Sequence, residues 1–393
     1  VKRLRRAALV LAVALAACAG PGPVAVTPTS FVATAPATAS VSVPDATASV
    51  SATPTELGQA ATPSATSLPA RAAELVICLA SEPRSLYRYA RPEVGRAHIL
   101  AALYDGPIDA TGTDADYGFV PMLLTARPSP ANGGAVLETV RVSPGELVVD
   151  ALDRAVPLAE GVRLMTAAGP VITYTGDQPA DLPQWVVTFH LKPGLTWSAG
   201  APLTAADSVF AYTLGSDVDS QDPLRAVAER TASYVAPDAA TVVWTGLPGY
   251  VDPLYFTHFW PPLPQHQFAG MTPGEIADSA AANRAPLGWG PFVVEAWTPG
   301  QQLTLTRNPL YWRAAEGLPR VERLTYRFVA DPAAQLAALQ AGTCDLAPSG
   351  PGLTALAERA TAAGLSAQTV PGTALTMLHF GLAPAPDYVS EGS

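Results

Sequence analysis

From Gly20 to about Ala70 the chain is mostly Pro, Ala, Thr, Ser and Val, with almost no charge and a single aromatic, Phe31. Prolines recur at Pro21, Pro23, Pro28, Pro36, Pro44, Pro54, Pro63 and Pro69. No other stretch constrains the fold as strongly. Side chains of this kind bury too little apolar area to offset the entropy of an ordered chain. An extended, flexible stalk is therefore expected, and a packed body has to be built from about Glu74 onward.

The residues ahead of the stalk suggest what it is for. Lys2, Arg3, Arg5 and Arg6 precede an uncharged apolar run from Ala7 to Leu15, followed by Leu15-Ala16-Ala17-Cys18. A basic start, a short apolar core and small residues at the cut site make a secretory signal, and the run is too short for a transmembrane helix. Leu-Ala-Ala-Cys resembles the lipobox of bacterial lipoproteins. That resemblance implies cleavage before Cys18, lipidation of Cys18, and a protein held on the extracytoplasmic (periplasmic or cell-surface) face of the cell membrane. No second long uncharged apolar run follows, so a soluble body is expected. The formal net charge of -10 argues against nucleic acid or an anionic membrane surface as partner. Beyond Cys18 the cysteines are Cys78 and Cys344. In an oxidising compartment they could pair, or they could remain buried thiols. The absence of C-x-x-C excludes a zinc ribbon or a thioredoxin-like site.

Periodicity sketches a mixed α+β body. Leu75–Leu79 is a short apolar run that suits a buried strand. Val136–Val142 and Glu146–Ala151 are strand-like, and Trp185, Val187, Phe189 and Leu191 share one face at period two. Lys192-Pro193-Gly194 signals a turn, after which Leu195–Trp197 is expected to return as a strand. Thr204 with Asp207 predicts a capped helix start. Ala239–Thr245 and Arg323–Val329 read as strands, and Phe292–Trp297 with Gln302–Arg307 as a hairpin. Asp331-Pro332 and Gly342 mark the two ends of one more helix.

Several of these segments, in order, resemble family 5 extracellular solute-binding proteins of the peptide/nickel type. Trp185–Leu214, WVVTFHLKPGLTWSAGAPLTAADSVFAYTL, is similar to the family's F-x-L-R-x-G-x-x-F/W-x-D-G-x-P-x-T-A-x-D-V. Gly288–Trp312 resembles G-T-G-P-Y…L-x-R-N-P-x-Y-W, and Ser81–Leu86 resembles S-E-P-x-S-L. Tyr104-Asp105-Gly106 stands where the family has Y/F-E-G, and Asp331–Leu346 resembles its A-L-x-x-G-E-I-D stretch. The resemblance implies an α/β (mixed α+β) periplasmic-binding-protein-like type II bilobal fold that closes on ligand like a hinged trap. The hinge is expected near Phe328–Ala330. The implied division is a signal over 1–18, a stalk over 19–72, a first lobe from 73–104 and 236–330, an extra subdomain over 105–235, and the start of a second lobe over 331–393. Family members continue well past that point, so most of the second large lobe is expected to be missing, and an isolated product is expected to bind family ligands weakly or not at all.

The implied activity is capture of peptides or similar small solutes for delivery to the permease and ATPase subunits of an ABC importer. The alternatives are a surface sensor or interaction lipoprotein on the same fold, or a non-functional fragment. The resemblance places one ligand-facing wall on Tyr87, Tyr89, Pro92, Glu93 and Val94, and a second near Asp222-Pro223-Leu224, with Leu224 the candidate residue there. Each tyrosine could equally be an ordinary half-buried packing residue, and Glu93 a solvated charge. No nucleophile–base pair, nucleotide loop or helical metal-binding histidine pair stands out among His98, His190, His258, His266 and His379. No catalytic residue, metal site or cofactor is expected.

Overall fold

The computed structural model describes residues 74–113, 116–176, 178–217, 224–348 and 354–368. The expected signal, Cys18, the stalk, Asp222, Pro223 and the C-terminal segment lie outside these residues.

Two four-stranded sheets carry the fold. Their strands in chain order are β1 (Glu74–Leu79), β2 (Ala135–Val142), β3 (Ala180–His190), β4 (Thr231–Asp238), β5 (Thr241–Gly246), β6 (Phe292–Thr298), β7 (Gln302–Arg307) and β8 (Arg323–Phe328). The first sheet runs β1-β8-β7-β6 and the second β4-β5-β3-β2. In the first, β6, β7 and β8 form an antiparallel meander, and β1 lies parallel to β8 from Glu74↔Arg323 to Leu79↔Phe328. The second sheet is antiparallel throughout.

Alternation places β3 as expected. Trp185, Val187 and Phe189 are buried on one face, while Val186 and Thr188 are only partly covered. The return of Leu195–Trp197 as a strand does not occur. Both flanks of β3 are already taken by β5 and β2, so no free edge remains to receive it. Thr196 instead bridges Pro202, and Leu195 and Trp197 sink into the core from an irregular loop.

Helix α1 (Val94–Leu103) follows β1, and α2 (Ala205–Gly215) follows the loop that leaves β3. At the start of α2 the Asp207 carboxylate accepts Thr204 N at 2.9 Å, the reach-back arm of a capping box. The same carboxylate accepts Gln265 N at 3.0 Å and Trp197 Nε1 at 3.3 Å. One acidic side chain thus caps a helix and anchors two loops. Helix α3 (Arg225–Ala228) is a single turn. Helix α4 (Pro332–Gln340) is capped by the Asp331 side chain on Ala333 N and Ala334 N, and Gly342 closes it at φ 67°.

Trp197, Trp244, Trp260 and Trp289 are fully buried in one large core shared by both sheets. Removing any of them down to alanine is worth about 3–5 kcal/mol. A separate small core of Val142, Val148, Leu158, Leu164, Tyr174 and Leu182 gathers under two short hairpins, Leu147–Val149 with Ala155–Pro157 and Arg163–Met165 with Val171–Thr173. Cys78 and Cys344 form a disulfide with their Cα atoms 5.8 Å apart, which resolves the choice the sequence left open.

The closest backbone approach in the core explains Gly288-Trp289-Gly290. Gly290 N donates to Leu103 O at 2.9 Å. A Cβ on Gly290 would stand 2.6 Å from Leu103 C and from Tyr104 N, and one on Gly288 would overlap Leu103 O. These glycines let the irregular segment ahead of β6 lie directly on the C-terminal end of α1. The change Gly290→Ala is expected to cost about 2–4 kcal/mol in urea denaturation. Gly300→Ala, at φ 72° but with open space around it, should cost only about 1–2 kcal/mol.

Candidate ligand-binding site

The candidate wall is the stretch that leaves β1 and enters α1. Glu82 Oε1 accepts Trp297 Nε1 at 2.7 Å and Glu82 Oε2 accepts Gly300 N at 2.8 Å, so the start of the wall is tied to the β6–β7 hairpin. Ser85 Oγ accepts Tyr87 N at 2.9 Å and donates to Asn283 Oδ1. The Arg96 guanidinium, 4% exposed, donates to the carbonyls of Ala90 and Arg91 and so fixes the bend before the helix.

Tyr87, Tyr89, Pro92, Glu93 and Val94 therefore come together on one short turn. The rings of Tyr87 and Tyr89 are 6.1 Å apart and both belong to the large core. The Tyr89 hydroxyl donates to Pro261 O, joining the wall to the aromatic loop that runs over the second sheet. Pro92 is exposed and Glu93 is half-buried. Glu93 stands at the N-cap of α1, but its carboxylate turns back, accepting Arg84 N at 3.1 Å and lying 3.9 Å from Arg84 Nε. Val94 is the first residue of α1. Leu224 is placed on a different element, at the N-cap of α3, and packs partly buried against the large core. The groups this wall turns to solvent are Arg84, Arg91, Pro92 and part of Glu93.

One member of the Tyr104-Asp105-Gly106 motif joins distant segments of the core beside the wall. Asp105 is buried, and its Oδ2 accepts the Tyr311 hydroxyl at 2.5 Å and Trp312 Nε1 at 3.1 Å. Its backbone carbonyl accepts Trp289 Nε1 at 2.7 Å. Burial and the Asp105 carboxylate both push the Tyr311 hydroxyl well above its ordinary pKa. Beside this group Arg88 Nη2 donates to Gly106 O at 2.9 Å, and its guanidinium lies 5.1 Å over the Tyr104 ring and 5.4 Å over Trp289. Lys192 Nζ donates to Met122 O at 2.5 Å and sits 4.3 Å over Trp312. Asn308, fully buried, donates to Gly290 O at 2.9 Å and accepts Leu310 N at 3.0 Å. The Tyr-Asp-Gly and Asn-Pro-x-Tyr-Trp motifs thus meet as the two halves of one buried hydrogen-bond network. The signal was present in those motifs, but their pairing spans 206 residues of sequence.

His258 is buried against Trp244 and stacks on Tyr250 at 5.6 Å, with Nε2 3.0 Å from Asp252 Oδ2. Tyr250 OH donates to the same oxygen at 3.1 Å. Among the described residues no three His, Cys, Asp or Glu side chains converge as a metal site. No helix among them is long and apolar enough to cross a membrane.

Two sheets bridged by one aromatic core and a motif-built network define a class, the periplasmic-binding-protein-like fold. The oligopeptide-binding protein AppA from Bacillus subtilis, solved in complex with a nonapeptide, superposes with a TM-score of 0.50 at 20% identity, over 70% of this chain and 44% of that one. The profile of the bacterial extracellular solute-binding proteins, family 5 Middle, matches residues 184–386, and the chain belongs to that family. A Brucella ovis protein bearing the name of an ABC transporter peptide-binding protein is 34% identical over 162 residues, 40% of this chain and 29% of that one. The oligopeptide-binding protein OppA of Mycobacterium tuberculosis is 34% identical over 215 residues, 51% of this chain and 33% of that one. The chain thus spans about a third of the length of these relatives.

Two outcomes are expected. Asp105→Ala strands the buried Tyr311 and half-buried Trp312 donors and should lower stability by about 2–4 kcal/mol, with Asp105→Asn, which keeps an acceptor, milder; chemical denaturation reads both. Burial, opposed by Asp252, lowers the His258 pKa below its ordinary value of about 6.5. Above that pH the ring is neutral whether folded or unfolded. Below it the unfolded chain takes up the proton more readily, so stability is lost as pH falls from about 6.5 through the folded value. Denaturation midpoints between pH 8 and 5.5 should therefore fall less steeply in His258→Gln. A residual slope is expected, since burial also lowers the His98 pKa.

Proposed function

We propose that this chain is the solute-capturing component of an ABC importer and that its ligands are peptides or similar small solutes. Capture is non-covalent: ligand is held between lobes and passed to the permease, with no catalytic residue and no cofactor. The observation that carries this reading is membership in family 5 across residues 184–386. Support comes from the peptide-binding names of the relatives that align with the chain. The wall built from Tyr87, Tyr89, Pro92, Glu93 and Val94, with Leu224 as part of a second wall, is the proposed contact surface. The basic start, short apolar run and Cys18 support export and a lipid anchor at the extracytoplasmic face of the cell membrane, with the stalk as spacer.

Titration calorimetry with peptides of two to nine residues tests the proposal. The described residues supply one wall and a single residue of the second, so any saturable binding is expected to be weak, with a dissociation constant of about 0.1–1 mM. Binding of sugars as tight as that of peptides, or tighter, would contradict it.

A further inference from the structure

After β8 the chain makes an excursion from the first sheet over residues 329–346, and both ends of that excursion are fastened to β1. At entry, Val329 N donates to Leu79 O at 2.8 Å. At exit, Val76 N donates to Asp345 Oδ2, Asp345 N to Val76 O and Cys78 N to Leu346 O, each at 2.8 Å. Leu346 makes an isolated parallel bridge with Ile77, so the chain touches the outer edge of β1 at this point. The disulfide from Cys78 to Cys344 lies within this seam. Inside the excursion, Gln335 Nε2 of α4 donates to Val329 O at 2.7 Å, and Arg327 Nη1 reaches Thr343 O at 3.3 Å.

We propose that the Cys78–Cys344 bond is a clamp that makes α4 and residues 344–346 part of the first sheet, so that lobe closure does not pivot at Phe328–Ala330. Hydrogen bonds of about 1 kcal/mol net each hold this short segment beside β1, and so short an edge opens locally far below the global unfolding energy. On α4, Gln335 and Leu336 are the buried side chains, too few to pin the helix by packing alone. A covalent link to Cys78, the penultimate residue of β1, removes that local opening, because Cys344 can leave only if that end of β1 leaves too. A pivot at Phe328–Ala330 would have to swing α4 while its far end stays bonded to Cys78. The link to lobe closure rests on the solute-binding reading; the clamp itself does not.

Hydrogen exchange of the full chain, without peptide, tests the clamp before and after reduction. Reduction by a dithiol gives the disulfide two electrons and two protons, and the dithiol closes to its own cyclic disulfide. Amides of Gln335, Asp345 and Leu346 should then exchange at least tenfold faster, while those of β3, β5 and β7 hold. The double variant Cys78→Ala, Cys344→Ala should behave the same way without reductant. Unchanged exchange at 345–346, or equal acceleration across both sheets, would overturn the clamp. Neither result depends on ligand binding, so the importer proposal stands or falls separately.

Discussion

The structure turns on one buried carboxylate. Asp105 sits where the chain passes from α1 into the segments that build the second sheet, and it gathers donors from Tyr311, Trp312 and, through its main chain, Trp289. A buried acidic group of this kind is tolerated only when its oxygens are hydrogen-bonded. In return it fixes where the Gly288–Gly290 segment meets α1, because the backbone at both glycines lies too close to Leu103 to admit a Cβ. The candidate wall hangs from the same framework: Arg88, within it, reaches Gly106 O and stacks over Tyr104 and Trp289.

This arrangement suits a scaffold for binding. The carboxylates that hold it together, Glu82, Asp105 and Asp207, accept from backbone and aromatic donors within the fold. Their hydrogen bonds position the frame, and the proposed wall turns Arg84, Arg91 and part of Glu93 to water. A non-covalent trap has the same requirement: a rigid frame with a few polar groups at its lip.

Much of the fold was legible because its determinants are local. The Thr298–Gln302 turn of the hairpin, the Asp207 reach-back to Thr204 and the Asp331 cap of α4 each depend on residues within five positions of one another. The period-two face of β3 follows from alternation alone. Pairings across long separations could not be read. The parallel register of β1 on β8, the Cys78–Cys344 bond and the Asp105 network join residues about 200 or more apart, and no sequence period records such contacts. Leu195–Trp197 misled for a related reason: its apolar character is real, but whether it forms a strand depends on a free edge, which only the assembled sheet determines. For the wall, the resemblance supplied the residues, and the structure adds that Tyr87 and Tyr89 have their rings in the core while Pro92 and Glu93 reach the rim.

The most direct test of a peptide-capturing wall is an amide-resolved NMR titration of the full chain with an oligopeptide at millimolar concentration. Shift changes concentrated at residues 84–94 and around Leu224, saturating with peptide, are the predicted result. Saturable changes centred elsewhere, for example on the small core beneath the 147–173 hairpins, would contradict the account.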